Sequence, residues 1–494
     1  MEEEERGRQR SRLTAEAERH RVAAWLLVRV LAAIHLVAFA SLRVQLDGLI
    51  GDQGILPARE LLQWAERLGP KRFWLLPTLA WISPGQGMLH LLCGAGMAIA
   101  ALLLVYGILP NASLLALWAL YLSLCTVAQD FLGFQWDVLL LETTLLAAFL
   151  PRWRLRHRLA DAPNPVFLWM LRWLLFRLMV ASGAVKLSSG DPTWKGLTAL
   201  LVHYETQPLP TVLGWWAHQL PAWFQKLSCA VMLVVELAVP FLIFCGRRGR
   251  LLAFGALVGF QILIAATGNY AFFNLLTIAL CLLLLPDNLF PRRFRREPTA
   301  APPAHRLSFA LAALLLVASL PPFAGSVGLR IGPLGALTGL LGPLRSVNSY
   351  GLFAMMTTTR PEIVIEGSDD GTSWLAYELP YKPGDLSRAP RWVAPHQPRL
   401  DWQLWFAALG AGEPWFSRLV ERLLSGTPDV LALFARNPFP AAPPRWIRAS
   451  MYQYRFTSRA ERNATGAWWK REPKGLYYPT VSLRGVREQM MVTP

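Results

Sequence analysis

The chain has 494 residues, of which 54% are hydrophobic and only 16% are charged, and its formal net charge is +17. Charged residues make up about a quarter of an ordinary soluble protein, so this deficit excludes a fully water-facing surface and indicates lipid around much of the chain. The basic excess does not indicate nucleic-acid binding, because many arginines stand in short clusters at the ends of apolar runs, which is typical of cytoplasmic anchors. We therefore expect no nucleic-acid partner.

A charged, helix-prone segment opens the chain at residues 1–21, and we expect it to be a cytoplasmic tail. Residues 22–345 follow as a transmembrane helical domain, since about 20 apolar residues cross a bilayer as a helix. A Gly/Pro-broken apolar run at 326–345 is interpreted as a re-entrant or interfacial piece. The apolar runs predict about nine spans, near 22–42, 87–108, 112–130, 134–150, 166–187, 227–245, 250–267, 270–286 and 306–325.

The arginine clusters predict the orientation of this bundle. With nine spans and a cytoplasmic N-terminus, the loops 151–165, 246–249 and 287–305 all face the cytoplasm, and each carries arginines. This agrees with the preference of basic residues for cytoplasmic loops. The same count puts the long loops 43–86 and 188–226, together with everything after the last span, on the opposite side of the membrane.

Several ionisable groups lie within the predicted spans, where an unpaired charge is heavily penalised. The simplest interpretation is structural: Glu142 and Glu236 pair with Arg177 or Arg29 and hold the bundle together. The candidate residues for such intramembrane ion pairs are Arg29, Glu142, Arg172, Arg177 and Glu236.

A second hypothesis concerns Lys186, where the fifth predicted span emerges on the outer face. A lysine in a partly dehydrated site loses its proton near neutral pH and acts as a base, although a lysine at a span end also reaches to the interface without any chemistry. His203 and Glu205 follow on one side of a segment expected to be extended, but two ligands without a third make a weak metal site. These three are the candidate catalytic residues. Neither zinc-ligand spacing nor a phosphate-binding glycine loop is found, so we expect no metal or cofactor.

From 346 to 494 the pattern changes from continuous apolar to alternating. This predicts a small extracytoplasmic antiparallel β-sandwich with one or two inserted helices, beginning with a hairpin whose turn is Asp369-Asp370-Gly371. The predicted strands are 362–368, 374–379, 446–456 and 467–470, and the predicted helix is 401–424.

The C-terminal domain is rich in aromatic side chains, and two interpretations stay open. The aromatic residues form a core packed down on the membrane, or they form an exposed apolar surface that binds unfolded or oligomerising client protein. The candidate client-binding residues are Trp402, Trp405, Phe406, Trp468 and Trp469.

Long phrases of the chain resemble the lipase maturation factor family. They are Val347–Phe353, Tyr381–Arg388 and Pro395–Trp402 in the C-terminal half, and Gly133–Glu142 and Tyr204–Pro208 in the membrane half. The resemblance implies a multi-pass membrane protein that assists folding and assembly of secreted lipases or other exported proteins. Its implied location is the endoplasmic reticulum membrane in a eukaryote, or the cytoplasmic membrane in a bacterium, with the C-terminal domain lumenal or periplasmic. The implied partners are client proteins and the lipid bilayer.

The membrane half also resembles, in outline, the transmembrane domain of vitamin K-dependent carboxylases. There a lysine follows a Gly-containing span and precedes an Asp-x-x-Trp-like stretch, and Lys186, Asp191 and Trp194 fit that outline. The membrane histidine implied by that family is absent from Gln261 to Asn269. The leading hypothesis is therefore a non-enzymatic maturation factor. The alternative is a membrane-embedded enzyme that uses Lys186 as a base on a lipid or quinone-like substrate.

Overall fold

The computed structural model describes residues 13–294, 306–410 and 413–492. Most of the predicted N-terminal tail and the end of the predicted loop 287–305 therefore lie outside the described residues. What is described forms a helical bundle followed by a domain built on one antiparallel sheet.

The bundle consists of helices that differ widely in length. In chain order they are α1 (Arg21–Arg43), α2 (Leu46–Ile50), α3 (Ala58–Ala65), α4 (Arg72–Leu75), α5 (Gln86–Tyr106), α6 (Pro110–Val127), α7 (Gln135–Ala147), α8 (Pro165–Ser188), α9 (Pro192–Lys195), α10 (Ala199–Thr206), α11 (Val212–His218), α12 (Ala222–Leu237), α13 (Arg247–Thr267), α14 (Phe273–Cys281), α15 (Arg306–Ser326) and α16 (Gly332–Leu341). Across the described ranges, seven are long and apolar enough to cross a membrane: α1, α5, α6, α8, α12 with its continuation to Phe244, α13 and α15. The chain is a multi-pass membrane protein.

Two of the nine predicted spans, near 134–150 and 270–286, correspond to shorter helices. The first is α7, with 13 residues, and the second is α14, with 9 residues and a 3-10 continuation to Leu284. At 1.5 Å per residue each measures roughly 20 Å or less, against about 30 Å of bilayer hydrocarbon. Most residues of both helices are buried, so their apolar side chains pack mainly against other parts of the protein. By length and composition the structure supports seven candidate spans, and the two remaining predicted spans are shorter apolar helices that run between the same two ends of the bundle.

Helix ends in the bundle follow local chain signals. The side chain of Asn164 accepts a hydrogen bond from the amide of Val166 at 3.0 Å, with Pro165 at the first helical position, so α8 begins there. Gly107, at φ 63°, ends α5 in the left-handed conformation that glycine adopts without strain. These signals set where the bundle turns.

The loops that carry arginine clusters meet at one end of the bundle, which we call the arginine end. Arg21 pairs with Asp287 at 2.9 Å, so the start of α1 is tied to the turn after α14. Arg247, at the start of α13, donates to Asn288 at 3.4 Å in that same turn. The loop 151–156 pairs with the turn between α5 and α6 at this end.

The C-terminal domain packs on the opposite end of the bundle. Just beyond the last turn of α1, the side chain of Gln45 donates to the carbonyl of Gln397 at 2.7 Å and accepts from the amide of Arg399 at 2.9 Å. Since α1 starts at the arginine end, the whole length of the bundle separates the arginine clusters from this domain.

Four strands form a single antiparallel sheet in the order β2-β1-β3-β4. They are β1 (Arg360–Ser368), β2 (Leu375–Ala376), β3 (Trp446–Phe456) and β4 (Trp469–Val481), and the helices are α17 (Arg399–Ala408), α18 (Pro414–Leu424), α19 (Pro428–Leu431), α20 (Arg459–Thr465) and α21 (Leu483–Val492). The expected β-sandwich is corrected, because the described strands make one sheet and α17 packs against β1. The predicted strand 446–456 is observed with the same bounds, whereas the predicted helix 401–424 is divided between α17 and α18.

The run 326–345 turns back into the bundle. α16 packs along α15, where Thr338 donates to the carbonyl of Ala318 at 2.8 Å. Arg345 then adopts a left-handed conformation (φ 47°) and reverses the chain. Next, Ser346 accepts from the indole of Trp118 at 2.8 Å, near the middle of α6. Within this stretch α16 itself has no buried residue, and after it burial in the bundle begins at Ser346 and Val347.

Candidate functional site: the docking surface of the C-terminal domain

Residues 346–353, which follow α16, supply hydrogen bonds to the buried carboxylate of Glu142. Glu142, halfway along α7, forms an ion pair with Arg177 of α8. Its second carboxylate oxygen accepts from the hydroxyl of Tyr350 at 2.7 Å and from the side-chain amide of Asn348 at 3.0 Å. Because a buried carboxylate needs all its hydrogen-bond sites filled, the first residues of the C-terminal domain are part of the membrane core.

A second carboxylate of α7 binds the C-terminal domain directly. Arg399 donates to the two oxygens of Asp137 at 2.6 and 2.8 Å, and Tyr121 donates to Asp137 at 2.6 Å. All three side chains are at most 1% exposed. A fork-to-carboxylate pair is the geometry in which arginine binds most strongly, and removing it from water strengthens the attraction further.

Arg360, the first residue of β1, clamps the loop after α10. Its guanidinium donates to the carbonyls of Glu205 at 2.7 Å and Pro208 at 2.8 Å, and also to that of Gln207. Burial lowers the pKa of Arg360, and the carboxylate of Glu362, 2.8 Å away, offsets that effect. The phrase 204–208 thus presents backbone acceptors to a cation from the C-terminal domain.

His203 and Glu205 lie on α10, a helix, so the expected extended segment is corrected. On a helix two residues apart point to different sides, and the two side chains have separate partners. Glu205 accepts from the amide of Phe456 at 2.6 Å, whereas the ring of His203 lies 3.3 Å from the hydroxyl of Tyr270. Burial, and then the charge of Lys186, lower the pKa of His203 to about 4. In the part of the chain that is described, no three His, Cys, Asp or Glu side chains converge as metal ligands.

Lys186 binds a carboxylate of α12. Its ammonium lies 2.8 and 2.9 Å from the two oxygens of Glu236, and it also donates to a backbone carbonyl of α8 at 2.9 Å. A Cβ at Gly183 would lie 2.9 Å from that of Glu236, so glycine permits the close approach of the two helices. The expected pairing of Glu236 with Arg177 or Arg29 is thereby corrected.

Arg29 and Arg172, the other two arginines expected in intramembrane ion pairs, pair with neither Glu142 nor Glu236. Arg29 donates to the carbonyls of Leu103 and Leu104 and covers the C-terminal end of α5. Arg172 lies 2.5 Å from Glu16, in the N-terminal segment. Among the described residues that precede the first span, Glu16 therefore contacts the arginine end of the bundle.

Three of the five candidate client-binding residues are core side chains. Trp402, Trp405 and Trp469 are 5% exposed or less, and the indole of Trp405 donates to a backbone carbonyl at the end of α10 at 3.0 Å. The ring of Trp468 is half-buried under an arginine. Only Phe406, among these five, is substantially exposed, at 39%. The proposal that this set binds clients needs correction, because buried indoles cannot offer a contact surface.

Sequence reasoning missed the residues that dock the domain. Asp137 and Arg399 both lie in phrases that carry the family resemblance, the first within the predicted span 134–150 and the second within the predicted C-terminal domain. Asn269 was also missed; its side-chain oxygen accepts from the amides of Val393 at 2.7 Å and Ala394 at 3.0 Å. What the sequence offered for Asp137 and Arg399 was a charged residue within a long stretch that resembles the family.

Comparisons with known proteins match both parts of the chain. A family model described as "Lipase maturation factor transmembrane domain" matches residues 22–292, and "Lipase maturation factor C-terminal domain" matches 346–479. The chain is 40% identical to "Lipase maturation factor 2" of Gallus gallus, with 93% of this chain and 81% of that protein covered. It is 38% identical to the Homo sapiens protein of the same name, with 93% and 82% covered, and 36% identical to "Lipase maturation factor 1" of Bos taurus, with 94% and 89% covered. No solved structure matches. With the membrane bundle and the docked domain both matched, this chain belongs to the lipase maturation factor family.

Proposed function

We propose that the protein is a membrane-anchored maturation factor that assists the folding and assembly of secreted lipases or other exported proteins. The observation that carries this proposal is the match of 93% of the chain to relatives named lipase maturation factors. The match includes the bundle and the C-terminal domain together, so the activity belongs to the docked assembly of both.

We further propose that the C-terminal domain faces the lumen of the endoplasmic reticulum, or the periplasm in a bacterium. Basic loops favour the cytoplasmic side of a membrane, and the arginine end lies opposite this domain. A secreted client is found on the side where the domain would then lie.

The docking geometry supports a role as a fixed platform. Arg360, Arg399 and Asn269 attach the domain at separate places, so it cannot swing as if on a flexible tether. A fixed domain presents its exposed surface at a constant height above the bilayer. Clients would bind that surface, since the indoles of the interface are already packed.

A secretion assay tests the proposal. A secreted lipase is expressed in cells that lack their own lipase maturation factors, with or without this protein, and lipase activity per amount of secreted lipase is measured. We expect the protein to raise that specific activity. A docking variant, Asp137→Asn, should lose the effect, whereas the surface variant Glu488→Gln should retain it. Equal specific activity with and without the protein would refute the proposed function.

A further inference from the structure

The loop between α3 and α5 contains a stretch whose apolar side chains are largely exposed. Residues 66–82, which we call the interfacial segment, include no buried residue from 66 to 79. Phe73 is 53% exposed, Trp74 is 43% exposed and Ile82 is 76% exposed. An ordered segment with this many exposed apolar side chains marks a contact with another apolar phase or partner.

Hydrogen bonds to α6 fix the depth of the interfacial segment. The hydroxyl of Thr78 donates to the carbonyl of Ser123 at 3.1 Å, and the amide of Leu79 donates to the hydroxyl of Ser123 at 3.0 Å. Ser123 lies one turn before Val127, where α6 ends.

The length of α6 relates that depth to the bilayer. α6 has 18 residues and so measures about 27 Å, and the hydrocarbon layer is about 30 Å thick. The whole of α6 is therefore needed to cross the layer, and a point one turn from its end lies inside it. The contacts of Thr78 and Leu79 thus hold this part of the loop at lipid depth.

The chemistry of the segment matches a lipid interface. The guanidinium of Arg72 lies over the rings of Phe73 and Trp81 at 4.8 and 4.9 Å, and Arg67 and Lys71 are close in sequence. Aromatic rings beside basic side chains are typical of the level of the lipid headgroups. The adjoining α5 continues the apolar surface, since Leu91 is 62% exposed.

Backbone groups at that depth need partners within the protein, because hydrocarbon supplies none. The indole of Trp81 donates to the carbonyl of Leu76 at 3.0 Å, and the side chain of Thr78 accepts from the amide of Ala80 at 3.1 Å. The segment thus satisfies part of its own backbone while its apolar side chains face outward. A loop built to remain in water does not need this arrangement.

We propose that the interfacial segment is embedded in the lipid leaflet on the side of the C-terminal domain. Phe73, Trp74 and Ile82 lie among the acyl chains, and Arg72 lies at the level of the phosphates. The sequence alone predicts a long loop at 43–86 on the non-cytoplasmic side of the membrane, and the proposal places the second half of this loop within the leaflet on that side. The segment thereby attaches the bundle to this leaflet, next to the docked C-terminal domain.

Single-cysteine labelling tests the proposal with the full chain. Four of the five cysteines are buried and only Cys245 is exposed, so Cys245→Ser provides the background. Ile82→Cys and, independently, Phe73→Cys are labelled with an environment-sensitive fluorophore in vesicles of phosphatidylcholine and phosphatidylglycerol. Leu91→Cys serves as the lipid-facing control and Glu488→Cys as the water-facing control.

At positions 82 and 73 we expect a blue-shifted emission close to that at position 91, and quenching by lipids that carry a nitroxide on the acyl chain. Emission like that at position 488, with quenching by iodide in the water, would overturn the proposal. A shift that develops only when a denatured lipase is added would also overturn it, because the segment would then be a client surface.

Discussion

Arg399 of the C-terminal domain and Asp137 of the bundle bind each other through two hydrogen bonds, across 262 residues of sequence. Neither side chain is more than 1% exposed. The domain is therefore attached by a charge pair that persists only while the domain stays docked.

Removing one partner should undock the domain. Asp137→Asn leaves the guanidinium of Arg399 buried without a counter-charge, and breaking such a pair destabilises by about 3–5 kcal/mol. We expect faster proteolysis of residues 360–481 and a lower melting temperature of the purified protein. The exposed pair of Arg484 and Glu488 supplies the control, since Glu488→Gln should change neither measurement. Identical proteolysis of Asp137→Asn and the parent would contradict the docking role.

Acid should loosen the same interface through His396. Its Nδ1 lies 2.8 Å from the hydroxyl oxygen of Ser41, and burial, then the charge of Arg399, lower its pKa below 6.5. The docked state favours the neutral ring, so His396 supports docking above the unperturbed pKa of about 6.5, and that support is lost as the pH falls below it. Proteolysis at about pH 5.5 should therefore exceed that at about pH 7.5, and His396→Gln should reduce the difference. A pH dependence unchanged in His396→Gln would count against this explanation.

Lys186 and Glu236 should behave as a mutually dependent pair. Lys186→Met or Glu236→Gln alone leaves one charge buried, and we expect the amount of protein in the membrane to fall, since such losses cost about 3–5 kcal/mol. The double variant removes both charges and should restore much of that amount. Measuring lipase maturation by the double variant then separates the hypotheses. Retained maturation identifies a structural pair, whereas lost maturation at normal abundance favours a chemical role for Lys186.

The chain contains two Asn-x-Ser/Thr patterns, Asn111-Ala112-Ser113 at the arginine end and Asn463-Ala464-Thr465 in the C-terminal domain, and the second can report the orientation. Asn463 is exposed on α20, whereas the side chain of Asn111 is buried and donates to the carbonyls of Ala148 and Pro151 at 2.8 and 3.0 Å. Asn-x-Ser/Thr is an acceptor only on the lumenal side. In mammalian microsomes we expect one endoglycosidase-sensitive gel shift that Asn463→Gln abolishes and Asn111→Gln preserves. No gel shift, with the parent and Asn463→Gln migrating alike, would count against a lumenal C-terminal domain.

How much of this architecture the sequence predicts depends on the range of the interactions. The apolar run at 22–42 and the alternation at 446–456 are local, so helix α1 and strand β3 follow from them. The partner of Glu236 is not local, because helix packing decides whether Lys186 or an arginine reaches it. Hydropathy also does not reveal that α7 is short, since residues buried in protein and residues facing lipid are equally apolar.

Residues 346–353 and 393–399 pack on the bundle beside α7 and the start of α14, where they bind Glu142, Asn269 and Asp137. A chain cut after residue 345 would lack these residues, so water would have to replace the hydrogen bonds that they make to Glu142 and Asp137. A chimaera of two relatives therefore has to take residues 346–353 and 393–399 from the same parent as the helices that they contact. The second family region begins at residue 346, but in the structure its first residues pack within the bundle.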